Sequence, residues 1–315
     1  MEPAAFVQTS KLVIVAGKGG VGKTTVAAAL GRMAADLGCR VLIVDVDGAR
    51  GNATAFDHDD LGYDDLQLSP ADPDTGRAEI TGRRLTPDDA LIEYLADHGM
   101  KRLAGRLVST GALDVIATAT PGIKDILILG KVKQIVANGD YDLVVLDTPA
   151  SGHAITFLRS ARGLVDAVRA GPIRRQAEEV LELLTDPRRC QVLLVTLAEE
   201  TPVNEVIETA FLLEDRVGVA LGPVVVNSVI DAVPDTVNPD RWALPADQCA
   251  ALADSLTFER ARSLSQRVQI ERLATALPLP QLVLPLLTGG RVDHGALLSL
   301  AAMLSDALRA LPEPS

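Results

Sequence analysis

Cysteine is scarce in this chain: Cys39, Cys190 and Cys249 are the three in 315 residues, far apart and without a CxxC pair. That spacing gives neither a disulfide framework nor a zinc site. Aromatic residues make up 3% of a sequence that is 48% hydrophobic, so the chain is globular with an aliphatic core. Positive charge is in deficit, with 30 Lys and Arg against 42 Asp and Glu, and the net charge of −12 argues against broad contact with nucleic acid or anionic lipid. Long apolar runs are missing too. None approaches the ~20 residues of a membrane-spanning helix, and the proline-broken LPLPQLVLPLL segment is far shorter. The first residues carry neither a basic start nor a cleavage site, so a soluble cytoplasmic protein is expected.

What the chain does contain is one glycine-rich run, Gly17-Lys18-Gly19-Gly20-Val21-Gly22-Lys23-Thr24-Thr25, which fits GxxxxGK[ST] and adds a second lysine inside the pattern. Lys11 to Ala16 reads as a buried strand before it. After it, Val26, Leu30, Met33 and Leu37 recur at helical spacing up to a stop at Gly38. In a strand-to-helix turn the glycines let backbone N–H groups converge on one point, and the helix N-terminus adds its positive end. Phosphates suit such a nest. Lys23 is placed for the β- and γ-phosphates, Thr24 for Mg²⁺ and Thr25 for an α-phosphate oxygen of ATP.

Further strands read at Arg40 to Val46, Leu113 to Ala119, Tyr141 to Leu146, Gln191 to Leu197, Pro223 to Val226 and Leu282 to Leu284. Helical stretches separate most of them, which predicts an α/β fold with a doubly wound, mostly parallel sheet. Ligands bind at the carboxyl ends of such strands, where two acidic groups fall. Asp45 and Asp47 close the second strand on the same side, and Asp147 closes YDLVVLD. Asp147 suits a phosphate-bound Mg²⁺, Asp47 the orientation of an attacking water, and Asp45 a supporting position behind the metal. Each acid also reads as a strand-end cap. His153 reads as a hydrogen-bonding residue at a helix start, and Asn227 equally as an adenine reader or a turn residue.

GKGGVGKTT, the DGARGNATAF segment from Asp47, PGIKD at Pro121 to Asp125 and DTPASGHAITFL from Asp147 resemble the ATPases that drive arsenite pumps and those that deliver tail-anchored membrane proteins. The order and spacing agree over nearly the whole chain. The resemblance implies a single phosphate-loop ATPase domain over residues 1–315, of the deviant Walker A class, acting as a dimer. It makes Lys18 the signature lysine that reaches into the facing subunit, Asp47 the switch I acid near the attacking water and Asp147 the start of switch II. Asn227 and the Pro285-Leu286-Leu287 loop then surround adenine.

Departures limit what transfers. Switch I reads Asp47-Gly48-Ala49-Arg50 where DPAH is common, and switch II reads TPASGH where TAPTGH is common. The zinc-binding CxxC of the eukaryotic targeting enzymes and the arsenite-sensing cysteines are missing, and only four methionines are available for a client groove. Pump ATPases fuse two halves. A single half such as this one is expected to form a homodimer or a heterodimer with a paralogue, with a membrane protein as possible client or partner. Residues 154–186 and 246–277 are expected to build a helical subdomain, its apolar residues facing either a client groove or the core. Arg260, Arg262, Arg267 and Arg272 read as a solvated helix face, and the leucine-rich stretch from His294 to Leu311 as a helix packed on the sheet rather than a membrane helix.

Overall fold

The computed structural model describes residues 1–46, 51–97, 99, 122–149, 153–234, 236–237, 239–242, 244–287 and 292–312. After a short helix α1 (Pro3–Thr9), the chain runs through β1 (Leu12–Gly17), α2 (Lys23–Asp36), β2 (Val41–Val46), α3 (Gly51–Ala55), β3 (Leu66–Ser69), β4 (Ile80–Leu85) and α4 (Pro87–Asp97). It continues through α5 (Ile123–Asn138), β5 (Leu143–Asp147), α6 (His153–Ala167), α7 (Pro172–Thr185), β6 (Cys190–Leu197) and α8 (Glu200–Arg216). The last elements are β7 (Val224–Val229), α9 (Ala246–Ala276), β8 (Gln281–Pro285) and α10 (His294–Ala310).

The strands form one sheet in the order β3-β4-β2-β5-β1-β6-β7-β8, parallel throughout except for β3 against β4. This is the expected doubly wound α/β fold. Its central strands are continuous apolar runs because helices cover both faces. On β1, Leu12, Ile14 and Ala16 join the core built with α5, α6, α7 and α8, while Val13 and Val15 join the core under α2 and α10. Gly38 ends α2 at φ +85°, as its position after the periodic residues predicts. Leu37 departs from that pattern: it caps the helix and is 38% exposed.

The strand read at residues 113–119 lies outside the described residues. Two other strands gave no readable signal. β3 is a short strand at the sheet edge, and β4 reads Ile-Thr-Gly-Arg-Arg-Leu, whose charges break any apolar run. Those arginines are held by local partners: Arg83 pairs with Asp65 at 3.1 Å and lies over the Tyr63 ring, and Arg84 pairs with Asp60.

α6 and α7 send Phe157, Leu158, Leu164, Val180, Leu183 and Leu184 into the core, so burial accounts for their apolar residues. α9 behaves differently. Over 31 residues it buries only Ser263, Gln266 and Leu273, and leaves Phe258, Leu264 and Val268 more than half exposed. Its arginines do not form one solvated face. Arg260 donates to the carbonyls of Pro234 and Val237, and Arg272 to Asn204 and the Glu200 carbonyl. These bonds tie α9 to its neighbours.

α10 starts on Asp293, whose carboxylate accepts from Ala296 N at 2.8 Å. It buries Leu297, Leu300, Leu304 and Leu308 against α2 and β8, the packing expected from its sequence. No described helix is long and apolar enough to cross a membrane. Leu304 is 1% exposed, so Leu304→Ala is expected to cost about 2–5 kcal/mol in urea unfolding at an unchanged m-value. A loss under 1 kcal/mol would show that the α10 layer is not closely packed.

Candidate functional site

β1 delivers the chain to the glycine-rich turn and α2 leaves it, so the loop sits at the carboxyl end of the central strand. Gly20 and Gly22 take φ of +84° and +92°, the left-handed region that glycine enters without a Cβ penalty. Gly17 is needed for space: a Cβ there would lie 2.3 Å from the Val195 carbonyl oxygen of β6. Val21, 2% exposed, pins the loop from beneath, and Asn227 Nδ2 donates to its carbonyl at 3.0 Å. The same Nδ2 lies 2.2 Å from where a Gly22 Cβ would stand. Asn227, within β7 and paired with Leu197 at the end of β6, therefore braces the loop. That role is legible only once the order β6-β7 is known.

Lys23 points back over the loop, its Nζ donating to the Lys18 carbonyl at 2.9 Å. Burial lowers its pKa and the nearby Asp147 charge opposes that shift. Thr24 Oγ1 donates to Asp147 Oδ2 at 2.6 Å. This brings together two residues, 123 positions apart, that sequence reasoning assigned to one metal. Lys18 projects outward instead, 47% exposed, and its ammonium pairs with Glu205 of α8. Beside that pair is a cavity of about 220 Å³ lined by Gly17, Val21, Ile155, Val195, Glu205 and Leu212 among others.

The acids lie deeper. β2 and β5 pair in register with Asp45 opposite Asp147, so the two carboxyl groups are neighbours, 0% and 1% exposed. Between them sits Asn52 of α3, fully buried, whose Nδ2 donates to Asp45 Oδ1 at 2.5 Å and to Asp147 Oδ2 at 3.1 Å. Asp45 Oδ2 and Asp147 Oδ1 have no hydrogen-bond partner among the described residues, a fitting state for oxygens that face a cation. Gly51 lets α3 come this close: a Cβ there would lie 2.7 Å from Thr24 Cγ2. Thr148 then fixes the start of the following turn, its hydroxyl donating to the Val15 carbonyl at 2.9 Å. Sequence reasoning missed Asn52, Glu205 and Thr148. Only the Asn52 position, a few residues beyond Asp47, carried a hint.

Asp47 lies outside the described residues, and so does the side chain of His153. Gly19, Gly20 and Lys18 are exposed, and Thr25 is half-buried on the first turn of α2. Pro285, Leu286 and Leu287 come beside the end of β7: Pro285 pairs with Val229, and Leu286 N donates to the Val229 carbonyl at 2.8 Å. Asn227 and this loop are thus joined through β7, Asn227 on the side of the phosphate loop.

Burial raises Asp45 to about 7, opposed by the Asn52 hydrogen bond and reinforced by the Asp147 charge. Burial also raises Asp147 to about 6, opposed by the Thr24 hydrogen bond, the Lys23 charge and Asn52. A glycine cradle, a buried lysine and a threonine bonded to a buried carboxylate define a phosphate-loop nucleotide-binding protein.

Comparison with known proteins identifies the class further. A family model described as anion-transporting ATPase matches residues 10–169. The chain is 32% identical over 320 aligned residues to ATPase BagA of Mycobacterium tuberculosis, covering 94% of this chain and 92% of that one. It is also similar to a putative arsenical pump-driving ATPase of Halobacterium salinarum, at 26% identity over 89% of this chain and 42% of the other. ATPase GET3C of Arabidopsis thaliana matches at 30% identity over 48% of this chain and 41% of its own. The chain belongs to the anion-transporting ATPase family, and the protein is an ATPase.

The raised acids give a signed pH dependence. A carboxyl whose pKa is higher folded than unfolded takes up a proton on folding, so stability is lost as pH rises through that interval. For Asp45 the interval runs from about 4 to about 7. Asp45→Asn is therefore expected to melt above the wild-type nucleotide-free protein by a gap that widens from about pH 4 to about pH 7 and then stays constant. A gap independent of pH would show that Asp45 is ionised throughout.

Proposed function

We propose that this ATPase is Mg²⁺-dependent and works as a nucleotide-gated dimer, closing on ATP and opening after hydrolysis around a client or partner. The observation that carries the reading is the Thr24–Asp147 bond directly behind the phosphate cradle. In this reading Gly17, Gly19, Gly20, Val21 and Gly22 offer backbone N–H groups to the phosphates, Lys23 neutralises the β- and γ-oxygens, and Thr25 contacts the α-phosphate. Thr24 and Asp147 hold Mg²⁺, with Asp45 behind them. When bound, that ion neutralises charge on the phosphates. Asp47 orients the attacking water, and Asn227 with Pro285, Leu286 and Leu287 surrounds adenine.

Lys18 completes the site of the facing subunit. To do so it must leave Glu205, and an exposed ion pair of this kind is worth only about 0–1 kcal/mol. The lysine is therefore held but easily released. The helical part that passes the change to a client comprises residues 154–186 and 246–277, where α9 leaves Phe258, Leu264 and Val268 in solvent. A second reading takes the pairing of Lys18 with Glu205 as its support: a subunit with little turnover of its own that completes the site of a paralogue. Mixing the two chains separates the readings, since strong stimulation of a slow subunit favours the second.

Chelation by EDTA is expected to abolish turnover and excess Mg²⁺ to restore it; turnover that persists in EDTA would refute the metal assignment. Lys18→Ala is expected to slow steady-state turnover by on the order of 10³ while leaving nucleotide affinity unchanged. Normal turnover by that variant would remove Lys18 from the mechanism. Asp47→Asn is expected to bind ATP and stay in a closed dimer during sedimentation, whereas wild-type hydrolysis would give its role to another group.

A further inference from the structure

Asn52 is a neutral residue at the one place among the described residues where two buried carboxyl groups adjoin. Asp45, one residue before the end of β2, pairs in register with Asp147 at the end of β5, both essentially without solvent contact. Left alone, such a pair is mutually repulsive and each group lacks water to compensate. The Asn52 amide has two hydrogens on one nitrogen, and that nitrogen lies 2.5 Å from Asp45 Oδ1 and 3.1 Å from Asp147 Oδ2. The opposite amide orientation would set its oxygen against two acceptors, so the nitrogen assignment follows from the chemistry. An aspartate in its place would add a third acceptor to the pair.

Its position on the chain gives this contact a second consequence. Asn52 is on α3, the element that follows Asp47, and Asp147 ends β5, the element that opens the next nucleotide-facing turn. Gly51, one residue earlier, lies against Thr24. Through these two residues α3 touches Thr24, Asp45 and Asp147 together. Displacing α3 therefore removes a donor from Asp147 Oδ2, the same oxygen that accepts from Thr24.

We infer that Asn52 is a positioning residue of the ATPase site: its amide holds the Asp147 carboxylate toward Thr24 and makes that orientation depend on the docked position of α3. The inference rests on the Mg²⁺-dependent reading above. The bonds that Asn52 makes are to Asp45 and Asp147. It acts through Asp147, so its loss raises the demand for metal rather than for nucleotide.

The test uses the full chain with Asn52→Ala and the equally sized Asn52→Asp, so that a variant that fails to fold does not end it. Binding of a fluorescent ATP analogue in EDTA is expected to match wild type. The Mg²⁺ concentration for half-maximal turnover, and for the metal-dependent increment of analogue binding, is expected to rise about 10–100-fold, the usual effect of removing a residue that orients a metal ligand. Wild-type Mg²⁺ dependence in either variant that folds would overturn the inference. Loss of Mg²⁺ dependence in the wild-type protein would instead overturn the reading on which it rests.

Discussion

Two carboxyl groups held side by side out of water are the constraint around which this molecule is arranged. Parallel pairing of β2 with β5 sets Asp45 opposite Asp147, and pairing of β5 with β1 brings both to the level at which the glycine-rich turn begins. The described residues that bond to the pair answer the same electrostatic problem. Thr24 and Asn52 donate to it, Lys23 supplies positive charge nearby, and the carboxyls respond by binding protons more tightly than usual. A sheet built only for stability would place aliphatic side chains here, as it does one step back along each strand at Val44 and Leu146. Stability given up at this spot marks it as a place arranged for chemistry rather than for packing.

The phosphate loop has a similar economy. Its shape is set less by its own residues than by what presses on it from β6 and β7. The Val195 carbonyl leaves no room for a side chain at position 17, and the Asn227 amide both anchors Val21 and fills the space beside Gly22. The loop backbone is thus fixed by strands far away in sequence.

Much of this was readable in advance. The strand-turn-helix around residues 11–37 declares itself because an apolar run, four glycines and a 3.6-residue period follow one another without interruption. The alternation of β-branched runs with helical stretches gave the doubly wound sheet, and Asp147 was placed by its position at the end of a run. β3 escaped because it is a four-residue edge strand, and β4 because Gly82, Arg83 and Arg84 break its apolar run, the charges being satisfied by Asp60 and Asp65 only after folding. Asn52 and Glu205 escaped for another reason. A buried asparagine and a surface one look alike in a sequence, and the partner of Lys18 lies 187 positions away. The family relationship carries the catalytic activity, while the residues that support the site had to come from coordinates.

The close approach of Gly51 to the Thr24 methyl group ties two stretches of sequence together over long times. A serine at position 24 would keep the hydroxyl and remove the methyl, clearing the space that a Cβ at position 51 would occupy. The choice between serine and threonine in the phosphate loop and the size of the residue opening α3 should therefore drift together among descendants of this chain, each substitution tolerated only after the other.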